Sequence, residues 1–243
     1  TLLELPVIGT FLYNIKVSNT NITKYFREEY YARPQLVSSK LIDAYYEAAH
    51  MNFSHGKYLM AISDGMGSGP EAMKSSKIAI KMLERLLSAG FEKDVSLKLI
   101  NSTLSANTSE DMYATLDIQI LDLFSGNMEF IKNSACPTFV KRNGEVQLLK
   151  SITLPTGILD QADLVVYDYD LQDGDILVMC SDGIIDSNKE YLNKQLWVKY
   201  LLEDIETDDA QKIADIIMNE AIDNDFGKQK DDMTVMVAKV TKK

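Results

Sequence analysis

The sequence predicts an α+β sandwich in one domain, two mainly antiparallel β-sheets with helices packed on their outer faces. Three observations carry that prediction. Short strand-like runs come in a block joined by hairpin turn signals, and helical stretches stand on both sides of the block. The strict β-α-β alternation of a doubly wound parallel sheet is missing. With 243 residues, 46% of them hydrophobic, the chain is long enough to bury a sizeable core. No internal repeat, low-complexity tract or linker divides it. The expected domain runs over 36–243, and 1–35 is set apart as an N-terminal segment.

The elements follow in order. "FLYNIKVSNTNI" suits a strand ending in an Asn/Thr turn, and "ITKYFREEYYA" has helical spacing up to Pro34. "KYLMAIS", from Lys57, is a continuous apolar run suited to a strand buried on both faces. "PEAMKSSKIAIKMLERLLSAG" then places Ile78, Met82, Leu83, Leu86 and Leu87 on one helical stripe, with Pro70 in the first turn and Gly90 as the stop. "DVSLKLINSTLSAN" reads as a second amphipathic helix with Asp94 as its N-cap. Four strand-like runs come next: "YATLDIQILDL", "GNMEFIKN", "CPTFVKR" and "EVQLLKS", with the turn signals "FSGN" and "RNG" among them. After "LPTGILD", the strands "DLVVYDYDL" and "DILVMCS" are split by the acidic hairpin "QDGD". Helices are expected around 189–203 and 208–224, and "MTVMVAKV" is the last strand.

Composition removes several classes of function. A formal charge of −11 argues against nucleic-acid binding, which needs an excess of Lys and Arg. Cys136 and Cys180 form no CxxC and no disulfide framework, so a reducing, cytoplasmic setting is expected. The apolar stretch "LLELPVIGTFLY" is short and carries Glu4 and Pro6, so it does not cross a bilayer, and no direct membrane contact is expected of this segment. Beginning at Thr1, the chain reads as a piece of a longer parent that can itself be membrane-anchored.

The most informative stretch is "YLMAISDGMGSGPEA" (58–72), a strand, a glycine-rich bend and a helix. As a dinucleotide fingerprint it fails, because the third glycine place falls on Pro70. As a Walker A loop it fails at Met73. What remains is Asp64 at the strand end, with glycines that let the backbone approach closely. The arrangement recurs: "DILVMCSDGIIDS" ends a buried strand with Asp182, and "KQKDDMTVMVAKV" puts Asp231 and Asp232 at the mouth of a third. Carboxylates about 4 Å apart repel by roughly 4 kcal/mol per pair at an effective dielectric of 20. A cluster of them therefore calls for protonation or for cations. Oxygen ligands without a neighbouring histidine point to hard ions, Mg²⁺ or Mn²⁺. His50 and His55 are read as solvated turn residues in or beside a hairpin. "DYDLQDGD" fails the EF-hand template at Gln172 and Met179, and no Cys-His or Ser-His-Asp spacing supports a covalent mechanism.

Taken together and in this order, "AISDGMGSG", "ILVMCSDGIID" and "DDMTVMVAKV" resemble the metal-dependent serine/threonine phosphatases of the PPM family, and more narrowly the phosphatase domain of the stage II sporulation protein E family. "NSACPTFVKRNGEV" and "LPTGILD" fit the same pattern, and the resemblance covers roughly 57–240. It implies an αββα sandwich, a two-metal Mn²⁺ or Mg²⁺ centre, and hydrolysis of phosphoserine or phosphothreonine by water held between the ions. Carried over by position, Asp64 resembles the aspartate that bridges both metals, Gly65 the glycine whose carbonyl contributes to one, and Asp182 and Asp231 the aspartates on the other. Asp232 falls outside that ligand shell. The family also carries a Gly-Asp aspartate 18 residues before the first motif's aspartate. That count lands on Tyr46, and Asp43 fills the role only if the hairpin is three residues longer. The implied partner is a phosphorylated anti-sigma-factor antagonist, and a homodimer belongs to the expectations. A second reading stays open: a degenerate, weakly or non-catalytic module of the same fold that binds such an antagonist or a division protein.

Overall fold

The computed structural model of the chain describes residues 13–22, 46–53, 56–66, 70–106, 113–150, 154–158, 165–224 and 231–242. Among the described residues, ten strands form two five-stranded sheets, and every pairing between these strands is antiparallel. One sheet has the order β1 (Tyr13–Ile22), β10 (Met233–Lys242), β9 (Ile176–Cys180), β6 (Thr138–Arg142), β7 (Glu145–Leu149). The other runs β2 (Tyr46–Phe53), β3 (Lys57–Asp64), β4 (Leu116–Asp122), β5 (Asn127–Asn133), β8 (Val165–Asp170).

Strand alternation sorts the side chains into layers. On β3, Leu59 and Ala61 face outward and meet Ile80, Leu83 and Leu87 of α1 (Pro70–Ser88) and Ile100 and Leu104 of α2 (Lys93–Ser105). Met60 and Ile62, on the opposite face of β3, pack with Phe130, Val140, Leu177 and Met236 between the sheets. The outer face of the other sheet, with Val178, Val235 and Val237, is covered by Trp197 and Leu202 of α4 (Gln195–Asp204) and by Ile213 and Ile217 of α5 (Ala210–Asn224). The layer order is αββα, as the resemblance implies.

Several expectations are sharpened. The segment expected to turn at Asn19–Asn21 stays extended, and Tyr13–Ile22 pairs along its whole length with β10, so this strand belongs to the sandwich sheet although it lies within 1–35. The helix expected from "ITKYFREEYYA" lies outside the described residues. The α1 stripe is shifted: Ala79, Ile80, Leu83 and Leu87 are buried, while Ile78, Met82 and Leu86 pack at its margin. Asp94 does not cap α2. The N-cap position belongs to Glu92, which makes no side-chain cap bond, and Asp94 sits in the first turn, where its charge faces the helix dipole. His50 lies within β2, opposite Met60, rather than in a turn. The "RNG" signal holds: Arg142 pairs with Glu145 across Asn143 and Gly144, both at positive φ, as a two-residue hairpin requires.

At the sandwich end away from Asp64, the acidic "QDGD" hairpin is anchored rather than merely solvated. Asp175 is fully buried, and both its carboxylate oxygens accept from Arg142, at 2.8 and 2.6 Å. Arg142 also donates to Asp170 O at 2.9 Å and lies 5.2 Å from the centre of the Tyr169 ring. The guanidinium thereby joins the two sheets. Arg142→Ala leaves Asp175 buried without its cation and is expected to cost about 3 kcal/mol. Arg142→Lys should lose a smaller part of that, because an ammonium lacks the bidentate fork. Urea denaturation of both variants measures the difference.

Candidate metal centre

Asp64 is held at its strand end by a reciprocal exchange with Thr115. Ser63 Oγ donates to Thr115 O at 2.8 Å, Thr115 N donates to Asp64 O at 2.8 Å, and Asp64 N donates to Thr115 Oγ1 at 3.0 Å. The ladder continues past the strand through Gly65 to Ala114 and from Ala114 to Thr156. Gly65 is buried under the start of α1: a Cβ there would lie 1.6 Å from the carbonyl oxygen of Ala72. Only glycine permits that approach, so the bend and the helix are one unit.

The second Ser-Asp-Gly is built on the same plan. Ser181 N donates to Thr234 O at 3.0 Å and Thr234 N to Ser181 Oγ at 2.9 Å, while Ser181 Oγ donates to Asp232 O at 3.1 Å. The end of β9 is thus pinned to the start of β10. Asp182 begins the four-residue helix α3 (Asp182–Ile185), whose Ile185 carbonyl accepts from buried Trp197 Nε1 at 3.1 Å. Gly183 packs against the β10 approach: a Cβ on it would be 2.2 Å from Asp232 O and 3.3 Å from Asp231 Cβ. Asp182 and Asp231 are therefore neighbours, and both are exposed. Asp232 is buried, and its N–H donates to Asp231 Oδ1 at 2.9 Å, which orients the neighbouring carboxylate.

Asp64 reaches the same end of the sandwich from the other sheet. Asn133, at the end of β5, pairs with Leu116, next to the Thr115 that grips Asp64. Five residues later β6 opens at Thr138, and Phe139 pairs with Val178 on the strand that leads to Asp182. The crossover 134–137 thus bridges the two carboxylate-bearing ends over a sheet separation of about 10 Å. Tyr46 stands directly opposite Asp64 in the β2–β3 register, at the place where the count of 18 lands. Asp43 lies outside the described residues. Among the described residues, no three Asp, Glu, His or Cys side chains are gathered into one ligand cluster.

A set of residues went unread in the sequence. Asp117, Gln119, Lys132 and Thr138 all point between the sheets at this end of the sandwich and are buried. Lys132 Nζ lies 2.5 Å from Asp117 Oδ2, and Gln119 Nε2 donates to Thr138 Oγ1 at 2.8 Å. Burial pushes the Asp117 carboxyl above the usual range, against the pull of the Lys132 ammonium. Their only signal is "LDIQIL", where polar residues alternate with apolar ones. That pattern usually marks a solvated face, and here it faces a second sheet. Both thiols are driven up, Cys180 by burial and Cys136 by burial and then by the Asp182 charge, so neither is a nucleophile at neutral pH.

Comparison with known proteins matches this architecture. The family model for stage II sporulation protein E covers residues 54–241. Stage II sporulation protein E of Bacillus subtilis is 40% identical over 190 residues, covering 78% of this chain and 23% of that protein. Its counterpart in Priestia megaterium is 38% identical over 185 residues, covering 76% of this chain and 32% of that protein. The chain thus matches 23% and 32% of the length of these two curated relatives. The solved structure of the PP2C phosphatase domain with a fragment of the regulatory domain of SpoIIE from Bacillus subtilis superposes with a TM-score of 0.81 at 35% identity, covering 95% of this chain and 63% of that one. RsbX in complex with magnesium, at 15% identity and a TM-score of 0.66, shares the fold. The fold and these matches place the chain in the class of PP2C-type protein phosphatases, which are metal-dependent hydrolases. Within that class, the chain belongs to the stage II sporulation protein E family.

Two outcomes are expected from this geometry. Ser181→Ala removes the hydroxyl that joins β9 to β10 and leaves Thr234 N without its acceptor, a loss of about 1–3 kcal/mol by chemical denaturation. In native protein at pH 8, buried Cys180 should react with a thiol reagent far more slowly than after unfolding, and half-buried Cys136 should also be slowed; rapid native labelling of Cys180 would contradict its burial and raised pKa.

Proposed function

We propose that this domain is a Mn²⁺- or Mg²⁺-dependent phosphoserine/phosphothreonine protein phosphatase acting on a phosphorylated anti-sigma-factor antagonist in sporulation. The observation that carries the reading is the pairing of Asp182 with Asp231 through the close approach of Gly183, at the sandwich end where Asp64 also terminates its strand. The donor set fits a hard divalent ion: it is all oxygen, and Asp182 and Asp231 reach solvent on adjacent backbones. Asp64, Gly65, Asp182 and Asp231 are the proposed ligands, with Asp43 as the candidate for the second ion. When bound, such ions supply positive charge that makes a water acidic enough to attack near neutral pH and that offsets charge on the phosphoryl oxygens.

The chain's own contribution is orientation. Ser181 and Thr234 hold the Asp182 strand end, Asp232 N–H sets the Asp231 carboxylate, and Thr115 clamps Asp64. With both thiols suppressed, direct attack by water on phosphorus needs no phosphoenzyme. Membership in the sporulation family supports the choice of substrate. Among the described residues, no helix is long and apolar enough to cross a membrane.

The test is hydrolysis of p-nitrophenyl phosphate and of a phosphoserine peptide with and without Mn²⁺. Asp182→Asn and Asp231→Asn should each lower kcat/KM by about a hundredfold or more. Unchanged activity in both would overturn the reading. A folded parent that hydrolyses nothing yet binds an antagonist would favour the non-catalytic module. Asp43→Ala should weaken the second of two Mn²⁺ binding steps if it is a ligand; an unchanged titration removes it from the set.

A further inference from the structure

A lysine with no exposed surface is uncommon, and Lys132 has none. Its ammonium lies 2.5 Å from Asp117 Oδ2 and donates to Cys136 O at 2.8 Å. Thr138 Oγ1 donates to the same carboxylate oxygen at 3.3 Å and accepts from Gln119 at 2.8 Å. These contacts tie β4 and β5, in the Asp64 sheet, to the crossover and to β6 of the other sheet. For stability, a buried ion pair is seldom better than well-packed apolar residues of the same volume, so packing does not account for it.

What it grips does. Cys136 sits in the crossover and packs against the core cluster that holds Cys180 and Ile184, which lie two residues either side of Asp182. Ser134, two residues earlier, has φ 52, a left-handed conformation that a serine seldom adopts without outside support. The next anchor along is Asn133, whose side-chain amide donates to Thr156 Oγ1 at 3.1 Å, on the ladder that extends from Gly65.

We propose that Lys132, braced by Asp117, is a positioning residue: by fixing the Cys136 carbonyl it sets the spacing between Asp64 on one sheet and Asp182–Asp231 on the other. This rests on the metal-phosphatase reading above and deepens it, because Lys132 is assigned a role through the crossover carbonyl that it holds.

The test is the double variant Asp117→Leu/Lys132→Met, which replaces the pair with apolar side chains of similar length. Its thermal midpoint and circular dichroism should match the parent, while Mn²⁺ affinity, read from the electron paramagnetic resonance of the free ion, falls about tenfold. Hydrolysis of p-nitrophenyl phosphate should recover at saturating Mn²⁺ with KM unchanged, and Lys132→Arg should keep most of the parent's affinity. A folded double variant with the parent's Mn²⁺ affinity overturns the proposal and makes the pair purely structural. If the double variant does not fold, Asp117→Asn carries the test with the same readout: weaker Mn²⁺ binding supports positioning and parental binding overturns it. A parent that binds no Mn²⁺ overturns the underlying reading and the proposal with it, an outcome visible before any variant is made.

Discussion

Asp64 ends a strand in one sheet, and Asp182 and Asp231 flank strands in the other, so the layer of side chains between the sheets decides how far apart they stand. That layer changes along its length. Around Phe130, Val140, Leu177 and Met236 it is a close-packed apolar core, which adapts to volume and little else. Toward the carboxylate end it becomes Gln119, Thr138, Asp117 and Lys132, whose hydrogen bonds have preferred lengths and directions. An apolar contact can slide by a fraction of an ångström at small cost, and a network of directional bonds cannot. The sandwich thus places its stiffest material next to its most demanding geometry.

Both Ser-Asp-Gly motifs divide the work in one way. The serine bonds to a neighbouring strand, the aspartate projects from the strand end, and the glycine admits a backbone that no side chain would tolerate. In the first motif the incoming backbone is α1, and in the second it is the Asp231–Asp232 approach to β10. One local solution is used twice, on strands of different sheets that end at the same end of the sandwich.

Much of this was legible in the sequence. The hairpin block, the flanking helices, the twofold Ser-Asp-Gly and the acidic entry to the last strand all rest on local rules, and the structure follows them. What escaped was set by contacts distant in sequence. Asp94 looked like a cap because Asp usually caps, yet the helix begins one residue earlier, at Lys93, and takes Glu92 as its N-cap. Asp175 read as a turn residue because its partner Arg142 is 33 positions away. Asp117 and Gln119 have the spacing of a solvated face, and only the second sheet turns that face inward. The remote partner of β1 hides how far that strand extends, whereas His50 stands on an arm of the β2–β3 hairpin instead of in its turn.

The pairing of β1 with β10 carries a consequence for how the molecule comes into being. Tyr13 lies opposite Lys242, so one edge of a sheet is sealed by residues from the two extremes of the described chain. Within this stretch of chain, β1 is made before all the other described strands and β10 after them. The Asp64 sheet, from β2 through β8, can pair while the remainder is still emerging, but in the other sheet β1 is not joined to β9 until β10 arrives between them. Because Asp231 and Asp232 enter with that last strand, the carboxylate pair forms only after the sheet around it has closed. A chain cut before Asp231 would lose that carboxylate and the partner of β1 together.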